Sequence, residues 1–339
     1  MWIFRAKWVA HMTAAAVLGL AAASASAGTI ITLDNFTRAE TDYYMSTYVA
    51  KGCFAKLCND REPTPVDKQP VVRMNRDTLY SVAVFDLASP VTIVKPDTGK
   101  RFQSMVVINQ DHYIPLVAYH AGTYTLTQGQ VGTRNAIVLF RTFVDPNDPN
   151  DISAAHAAQD GIRVSQASPG KFEVPDWDQD QRKKVSGAVA ALMAFVPDSR
   201  GMFGAADKVD PVRHLVGTAA GWGGNPEEDA KYLTIVPKAN DGATAHVLKV
   251  QDVPVDGFWS MTVYNANGFF EAPANAISVN NITAKRDADG SVTIHLGGDP
   301  KSTNFLRIMP GWSYVVRLYR PRAEILNSTW TFPEPEAVR

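Results

Sequence analysis

The chain has 339 residues, of which 45% are hydrophobic and 20% are charged, so it is long and apolar enough to bury a sizeable core. Its 33 Lys and Arg are balanced by 34 Asp and Glu. This balance excludes a strongly basic surface that follows phosphates, so we expect no nucleic acid partner.

Residues 1–27 have the pattern of a secretory signal peptide. Arg5 and Lys7 precede an apolar run over residues 13–23, and the small residues 25–27 form a cleavage site. An uncleaved membrane anchor is the alternative, but the run is shorter than the ~20 residues that span a bilayer. We therefore expect cleavage after residue 27 and a periplasmic or secreted product without a transmembrane segment. That product has 31 Lys and Arg against 34 Asp and Glu, a net charge of −3.

A helix is predicted over residues 34–51, and the only two cysteines, Cys53 and Cys58, follow it. In an oxidising compartment a pair this close is expected to form a disulfide, which stabilises the fold by roughly 2 kcal/mol in the chain-entropy model. Two free thiols are the alternative. Neither cysteine has a second pair nearby, and the histidines lack metal-ligand spacing, so we expect no metal and no cofactor.

Short runs of alternating apolar and polar residues continue to residue 143, with turn residues between them. They predict strands over residues 80–87, 91–95, 101–109, 114–119, 122–127 and 136–143. Strands of this length and spacing favour an antiparallel β-sandwich.

Helices are predicted over residues 151–160 and 178–196, and after Pro211 and Pro226. Residues 221–224 predict a flexible link around Trp222. Strands return over residues 245–250, 257–265, 277–279, 291–296 and 313–319. The sequence therefore predicts a mainly β protein with a helical insert: two antiparallel β-sandwiches, residues 28–145 and 236–339, joined by helices in residues 146–235.

The densest group of polar side chains lies in residues 73–80, at the start of the first predicted strand. Asp77 and Tyr80 are candidate catalytic residues, and we expect a neighbouring arginine to hold the Asp77 carboxylate ionised. Arg73, Asn75 and Thr78 are candidates for ligand binding. The alternative is that these side chains only tie a turn together through hydrogen bonds to backbone amides.

Further candidates lie outside this motif. His112 follows Asp111 at a predicted turn and is the best acid/base candidate, with a merely solvated histidine as the alternative. Arg141 interrupts an apolar strand, so it should meet a carboxylate, Asp77 first and Asp86 second. Three more candidates for ligand binding lie in half-polar strands or in the glycine-rich link: Tyr264, Arg317 and Trp222. Plain core packing is the alternative for the strand residues.

Several of these runs resemble two known families. Residues 73–81 (Arg-x-Asn-Arg-Asp-Thr-Leu-Tyr-Ser), 110–113 (Gln-Asp-His-Tyr) and 141–142 (Arg-Thr) resemble the bacterial family catalogued as domain of unknown function 1254. Residues 256–265, 289–293 and 317–321 resemble the family numbered 1214, which usually follows it. The resemblance implies an immunoglobulin-like first sandwich and a jelly-roll-like second one, and no established activity. Some relatives are labelled hydrolases, but this chain lacks the Gly-x-Ser-x-Gly elbow of such enzymes.

Three functions fit these features. The first is an exported enzyme that hydrolyses or eliminates a small molecule or an envelope glycan in a cleft between the sandwiches, with His112 or a tyrosine as proton carrier and Arg141 as anion stabiliser. The second is a non-catalytic protein that binds such a ligand. The third is a structural envelope protein in which the motif clamps the domains together. An active site requires Asp77, Tyr80 and His112 to open into one cavity.

Overall fold

The computed structural model describes residues 28–69 and 72–338, so the predicted signal peptide lies outside the described residues. Within them the protein is mainly β, with several antiparallel sheets and six α-helices. The helices are α1 (Leu33–Ala50), α2 (Gln128–Val131), α3 (Pro149–Asp160), α4 (Gln179–Ala191), α5 (Pro211–Gly221) and α6 (Ala323–Leu326).

The strands of the described residues form four sheets. In chain order they are β1 (Cys58–Asn59), β2 (Thr78–Asp86), β3 (Val91–Lys95), β4 (Gln103–Asn109), β5 (Leu116–Ala118), β6 (Gly122–Leu126), β7 (Asn135–Phe143), β8 (Arg163–Gln166), β9 (Ala230–Ile235), β10 (His246–Val250), β11 (Trp259–Tyr264), β12 (Ser278–Asn280), β13 (Val292–Leu296), β14 (Phe305–Leu306), β15 (Ser313–Tyr319) and β16 (Glu336–Ala337). Strands β1–β8 build the first β-rich part, in sheets of order β1-β2-β7-β4-β5 and β6-β3-β8. Strands β9–β16 build the second, in sheets of order β12-β11-β15-β9 and β14-β13-β10-β16.

The five-stranded sheet of the first part is covered on both faces, which explains why β2, β4 and β7 are buried along almost their whole length. One face packs against the three-stranded sheet, with Phe85 and Ile93 in that core. The other face packs against helices α1, α4 and α5, where Val84 meets Met45 and Val216. In the second part, two four-stranded sheets enclose a separate core.

A disulfide joins Cys53 and Cys58, as the sequence predicts, with their Cα atoms 5.4 Å apart. It closes the segment that runs from α1 to β1. The backbone of this segment also bonds to β2, because Cys53 accepts a hydrogen bond from the Val84 amide at 2.8 Å. The start of the first sheet is therefore fixed both covalently and by hydrogen bonds.

The predicted helical insert over residues 146–235 is wrong in two places. Strand β8 pairs with β3 in the first part, and β9 pairs with β15 in the second. Pro226 starts no helix, because residues 226–229 form a turn that leads into β9. A helix-start signal contributes about 1 kcal/mol to stability. The pairing of β9 with β15 contributes more, so the chain enters a strand instead of a helix. The immunoglobulin-like and jelly-roll-like assignments stay predictions.

Candidate functional site

Asp77 connects the two parts of the protein instead of facing an open site. Its side chain is fully buried directly before β2, and Asn280 donates a hydrogen bond from Nδ2 to Oδ1 of Asp77 at 2.8 Å. Burial raises the pKa of Asp77, although the Asn280 bond and the charge of Arg317 oppose the shift. The charges of Arg317 and Arg76 favour the ionised carboxylate, as the sequence predicts for a neighbouring arginine, but they do not cancel the effect of burial.

Arg317 is also buried, and it holds the backbone of the motif. Its Nη2 donates to the carbonyl of Arg73 at 2.8 Å and to the Tyr264 hydroxyl at 2.7 Å, and its Nη1 donates to Thr262 Oγ1 at 3.2 Å. Tyr264 in turn donates to the carbonyl of Met74 at 2.7 Å. We call Asp77, Asn280, Arg317, Tyr264 and Thr262 the clamp. The polar groups of Arg317 and Tyr264 are occupied in it, which argues against the predicted ligand-binding roles of these two residues.

Asn75 and Thr78 complete the turn at the start of β2. Asn75 Oδ1 accepts a hydrogen bond from the Asp77 amide at 2.8 Å, and its Nδ2 lies 3.1 Å from the Tyr319 hydroxyl and 3.4 Å from Thr78 Oγ1. Asn75 and Thr78 are both buried. The structure therefore corresponds to the turn-tying alternative for this motif, and only the Arg73 side chain is exposed.

His112 is fully buried against helix α5. Its Nδ1 lies 2.8 Å from Thr218 Oγ1, and its Nε2 accepts a hydrogen bond from the Gly223 amide at 2.9 Å. The Thr218 hydroxyl donates to the His214 carbonyl, so the proton of the imidazole is on Nδ1. Burial, and then the neighbouring His214, lower the pKa of His112 well below 6.5. An enclosed ring with a lowered pKa argues against the predicted acid/base function.

Arg141 meets neither predicted carboxylate. It donates to Asn225 Oδ1 at 2.9 Å and to the Gly223 carbonyl at 2.6 Å. Its register partner is Tyr80, and its guanidinium lies 5.8 Å from the centre of that ring. Asp77 lies in the bend before β2, where Asn280 binds its carboxylate instead.

The Asp86 carboxylate is bound by Arg134 instead, at 2.8 Å. This ion pair and two backbone hydrogen bonds lower the pKa of Asp86 to about 2. Neither carboxylate that the sequence suggested is therefore available to Arg141, and no ion pair to Arg141 occurs within the described residues.

The glycine-rich segment after α5 is held firmly, so its predicted flexibility is wrong. The two polar groups of Gly223 are bound from opposite sides, the N–H by His112 and the carbonyl by Arg141. The φ of Gly223 is 77°, a conformation that favours glycine. Trp222 stacks on Tyr44 at 4.3 Å between ring centres, so it packs inside the helical layer. Tyr80 and His112 thus lie on the Gly223 side of the sheet, and Asp77 lies in the clamp.

A cleft of about 270 Å³ lies elsewhere, between the two β-rich parts. None of the candidate residues predicted from the sequence lines it. The first part contributes residues 95–103 and 119–121, and the second contributes Asp256, Gly257 and Arg320. We call it the Lys95 cleft, because Lys95 is the most deeply buried charged residue in its lining.

Lys95 is only 2% exposed, but its ammonium group keeps some accessible surface, and it makes no hydrogen bond or ion pair with any of the described residues. Burial lowers its pKa, and the charge of Asp97 only partly opposes this. The sequence contains a signal that the Lys95 side chain faces inward. Val91 and Ile93 are the inward-facing residues of β3, and Lys95 continues their alternation.

Arg320 and Arg101 add positive charge to the Lys95 cleft. The Arg320 guanidinium lies 4.8 Å from the centre of the Tyr119 ring and makes no hydrogen bond within the described part of the chain. Its φ of 51° is uncommon for a residue with a side chain. Arg101 pairs with Asp151, which lies outside the lining.

Acidic residues do not balance these charges. Asp256 pairs with Arg322, which also lies outside the cleft. The cleft is lined by four cations and two carboxylates, namely Lys95, Lys100, Arg101, Arg320, Asp97 and Asp256. It therefore has a surplus of positive charge.

Residues 28–69 and 72–338 contain neither a candidate metal site nor a candidate membrane-spanning helix. No group of three His, Cys, Asp or Glu side chains is arranged to hold a metal ion. None of the helices there combines the length and the apolar character that crossing a bilayer requires.

Two families match the chain, one after the other. The family described as "Protein of unknown function (DUF1254)" matches residues 55–113, and "Protein of unknown function (DUF1214)" matches residues 237–323. The order agrees with the resemblance in the sequence. The clamp joins the two matched segments, since Asp77 lies in the first and Arg317 in the second. No curated protein is significantly similar in sequence.

Two solved structures share the fold. The VPA0106 protein from Vibrio parahaemolyticus is 17% identical, with a TM-score of 0.67 over 90% of this chain and 98% of its own. An uncharacterized protein from Burkholderia cenocepacia is 13% identical, with a TM-score of 0.51 over 91% of this chain and 87% of its own. At these identities the similarity shows the fold alone.

Proposed function

We propose that the protein is an exported binding protein that takes a small anionic molecule in the Lys95 cleft. One observation carries the proposal. A lysine buried to this extent without an ion pair or a hydrogen bond to any described residue is costly for folding, and an anion in the cleft would offset that cost. The ligand is small, because a volume of about 270 Å³ is at the lower end of ligand-binding clefts.

Export rests on two features of the chain. Residues 1–27 have the charged, apolar and small-residue segments of a signal peptide. The Cys53–Cys58 disulfide is of a kind that persists in oxidising compartments such as the periplasm. We therefore place the protein in the periplasm or outside the cell. We also propose that its two β-rich parts are β-sandwiches.

Binding is favoured over hydrolysis or elimination by the positions of the candidate catalytic groups. Asp77 and His112 are enclosed, and neither lines the cleft. Tyr119 does line it, but its hydroxyl donates to Asp229 at 2.7 Å, and burial together with Asp229 raises its pKa. A tyrosine held in this way is a poor proton carrier near neutral pH.

The test is isothermal titration calorimetry of the mature protein with three anions: D-galacturonate, cyclohexanecarboxylate and inorganic phosphate. We expect at least one to bind, and Lys95→Met to weaken it at least tenfold. Lys183→Met is the matched control, because Lys183 is exposed on α4. If none of the anions binds, or if Lys95→Met binds as the wild type does, the proposal fails and a purely structural role of the clamp remains.

A further inference from the structure

We infer that the ligand of the Lys95 cleft is an organic anion with two separate carboxylates, one bound by Lys95 and one by Arg320. This inference rests on the proposed function and names the chemical class of its ligand. It depends on a second cation in the same cleft that, like Lys95, has no anionic partner among the described residues.

Arg320 is that second cation. Its side chain lines the cleft, is half-buried, and makes no hydrogen bond or ion pair with any described residue. Its nitrogens keep accessible surface, so a ligand in the cleft can reach them. A guanidinium presents a fork of N–H donors that matches both oxygens of one carboxylate. Arg320 is therefore available to bind an anionic group of its own.

The backbone holds Arg320 in position at the wall of the cleft. Its φ of 51° lies in the left-handed region, and two hydrogen bonds fix this conformation. The Arg320 amide donates to the Asp229 carbonyl at 2.8 Å, and the Arg320 carbonyl accepts from the Asp256 amide at 2.9 Å. The guanidinium lies 4.8 Å from the centre of the Tyr119 ring. This charge is thus positioned before a ligand binds, which reduces the entropy that binding costs.

The two unpaired cations come from different parts of the protein. Lys95 ends β3 of the first part, and Arg320 follows β15 of the second. The other cations of the lining are less in need of a ligand, because Arg101 pairs with Asp151 and Lys100 is exposed to solvent. A ligand with one carboxylate can satisfy only one of the two unpaired cations. A dicarboxylate satisfies both and joins the two parts.

The walls of the cleft favour two carboxylates on a carbon chain over a single phosphate. Phe102 and Tyr119 both line it, with ring centres 5.7 Å apart, and offer apolar surface that CH2 groups can cover and an inorganic oxyanion cannot. The volume of about 270 Å³ limits the length of the chain. We therefore expect a ligand of the size of succinate, glutarate or adipate.

The experiment compares succinate, glutarate and adipate, each with its own monomethyl ester, by calorimetry at neutral pH and one ionic strength. The ester keeps the carbon chain but carries one charge fewer. We expect the best dicarboxylate to bind at least tenfold more tightly than its ester and than inorganic phosphate. Equal affinity of the acid and its ester would overturn the second carboxylate and leave the proposed anion site standing. Tightest binding of phosphate would overturn the dicarboxylate. Absence of binding by every anion would overturn the proposed function itself.

Two variants separate the roles of the two cations. Arg320→Met should reduce the preference for the dicarboxylate over its ester to about onefold and leave the affinity for the ester within about threefold of the wild type. Lys95→Met should weaken both at least tenfold, and Lys183→Met, on the exposed surface of α4, should change neither. If Arg320→Met keeps the wild-type preference, Arg320 does not bind the second carboxylate and the inference fails.

Arg320→Met leaves both backbone hydrogen bonds of this position in place, so we expect the variant to fold. If it does not, the acid and ester pairs on the wild-type protein still decide.

Discussion

The side-chain amide of Asn280 donates a hydrogen bond to the carboxylate of Asp77 at 2.8 Å, although the two residues are 203 positions apart. Asp77 precedes the first long strand of the first part, and Asn280 ends β12 of the second. The most polar run of the sequence is therefore the connection through which the two β-rich parts hold each other.

Arg317→Met should strongly destabilise the clamp. The substitution leaves the Arg73 carbonyl and the Tyr264 hydroxyl without their donor, and it removes the larger of two arginine charges, those of Arg317 and Arg76, that favour the ionised Asp77 carboxylate. We expect the free energy of unfolding in urea to fall by about 3–5 kcal/mol. Arg322→Met is the control. It removes an exposed ion pair with Asp256 and should cost less than about 1 kcal/mol. A similar decrease in the free energy of unfolding for Arg317→Met and Arg322→Met would argue against the clamp.

Asp77→Asn should be tolerated better than Asp77→Leu. The asparagine keeps an oxygen for Asn280 and carries no charge to bury, whereas leucine leaves the Asn280 amide without an acceptor at a cost of about 1–3 kcal/mol. Equal destabilisation by both substitutions would contradict this.

The pH dependence of stability gives an independent check on Asp77. Because burial raises the pKa of Asp77 above 3.8, the folded state binds this proton more tightly than the unfolded chain. Wild-type stability should therefore fall as pH rises from about 3.8 through the raised value. Urea unfolding of Asp77→Asn over the same range should lack this decrease, and an unchanged profile would argue against the raised pKa.

His112 should make the protein sensitive to mild acid. Its pKa is lowered by burial, so below about 6.5 the unfolded chain takes up a proton that the folded protein does not. Stability should then fall by up to about 1.4 kcal/mol per pH unit as the pH decreases from 6.5. His112→Gln should remove this slope and also destabilise the protein at neutral pH, while His120→Gln should keep the slope. A His112→Gln variant with the wild-type slope would show that another group titrates.

Lys95→Met should stabilise the protein in the absence of a ligand. The substitution removes a buried charge that has no partner among the described residues, and we expect about 1 kcal/mol or more at neutral pH. Because the pKa of Lys95 is lowered, wild-type stability rises with pH up to about 10.5, where the unfolded chain also loses its proton. The difference in the free energy of unfolding between Lys95→Met and the wild type, measured in urea, should therefore decrease as the pH rises. A less stable variant would indicate that Lys95 has a structural partner.

The local pattern of the sequence was sufficient for most elements. Val91–Lys95 was predicted with its observed bounds, and Ser313–Tyr319 likewise, because alternation of side chains between two faces is a property of the strand itself. The disulfide between Cys53 and Cys58 also needs only a short loop and an oxidising compartment.

The hydrogen-bond partners and the solvent exposure of the candidate side chains depended on long-range contacts, which no local sequence pattern contains. The sequence predicted a carboxylate partner for Arg141, and this was wrong, because the β2–β7 register and the end of α5 place Asn225 and the Gly223 carbonyl against it instead. His112 looked like a turn residue open to solvent. Helix α5 covers it, and this burial converts an acid/base candidate into a neutral structural ring.

What the sequence by itself determined is a mainly β chain with two successive family segments, a disulfide and a concentrated polar motif. Only the tertiary structure decided that this motif is sealed between the two parts and that Lys95 and Arg320 share a cleft. The physical reason is that secondary structure follows from short-range sterics and side-chain periodicity. Desolvation and hydrogen-bond satisfaction depend instead on which distant residues pack around a group, and those two terms decide whether a charged side chain fastens the fold or remains available to a ligand.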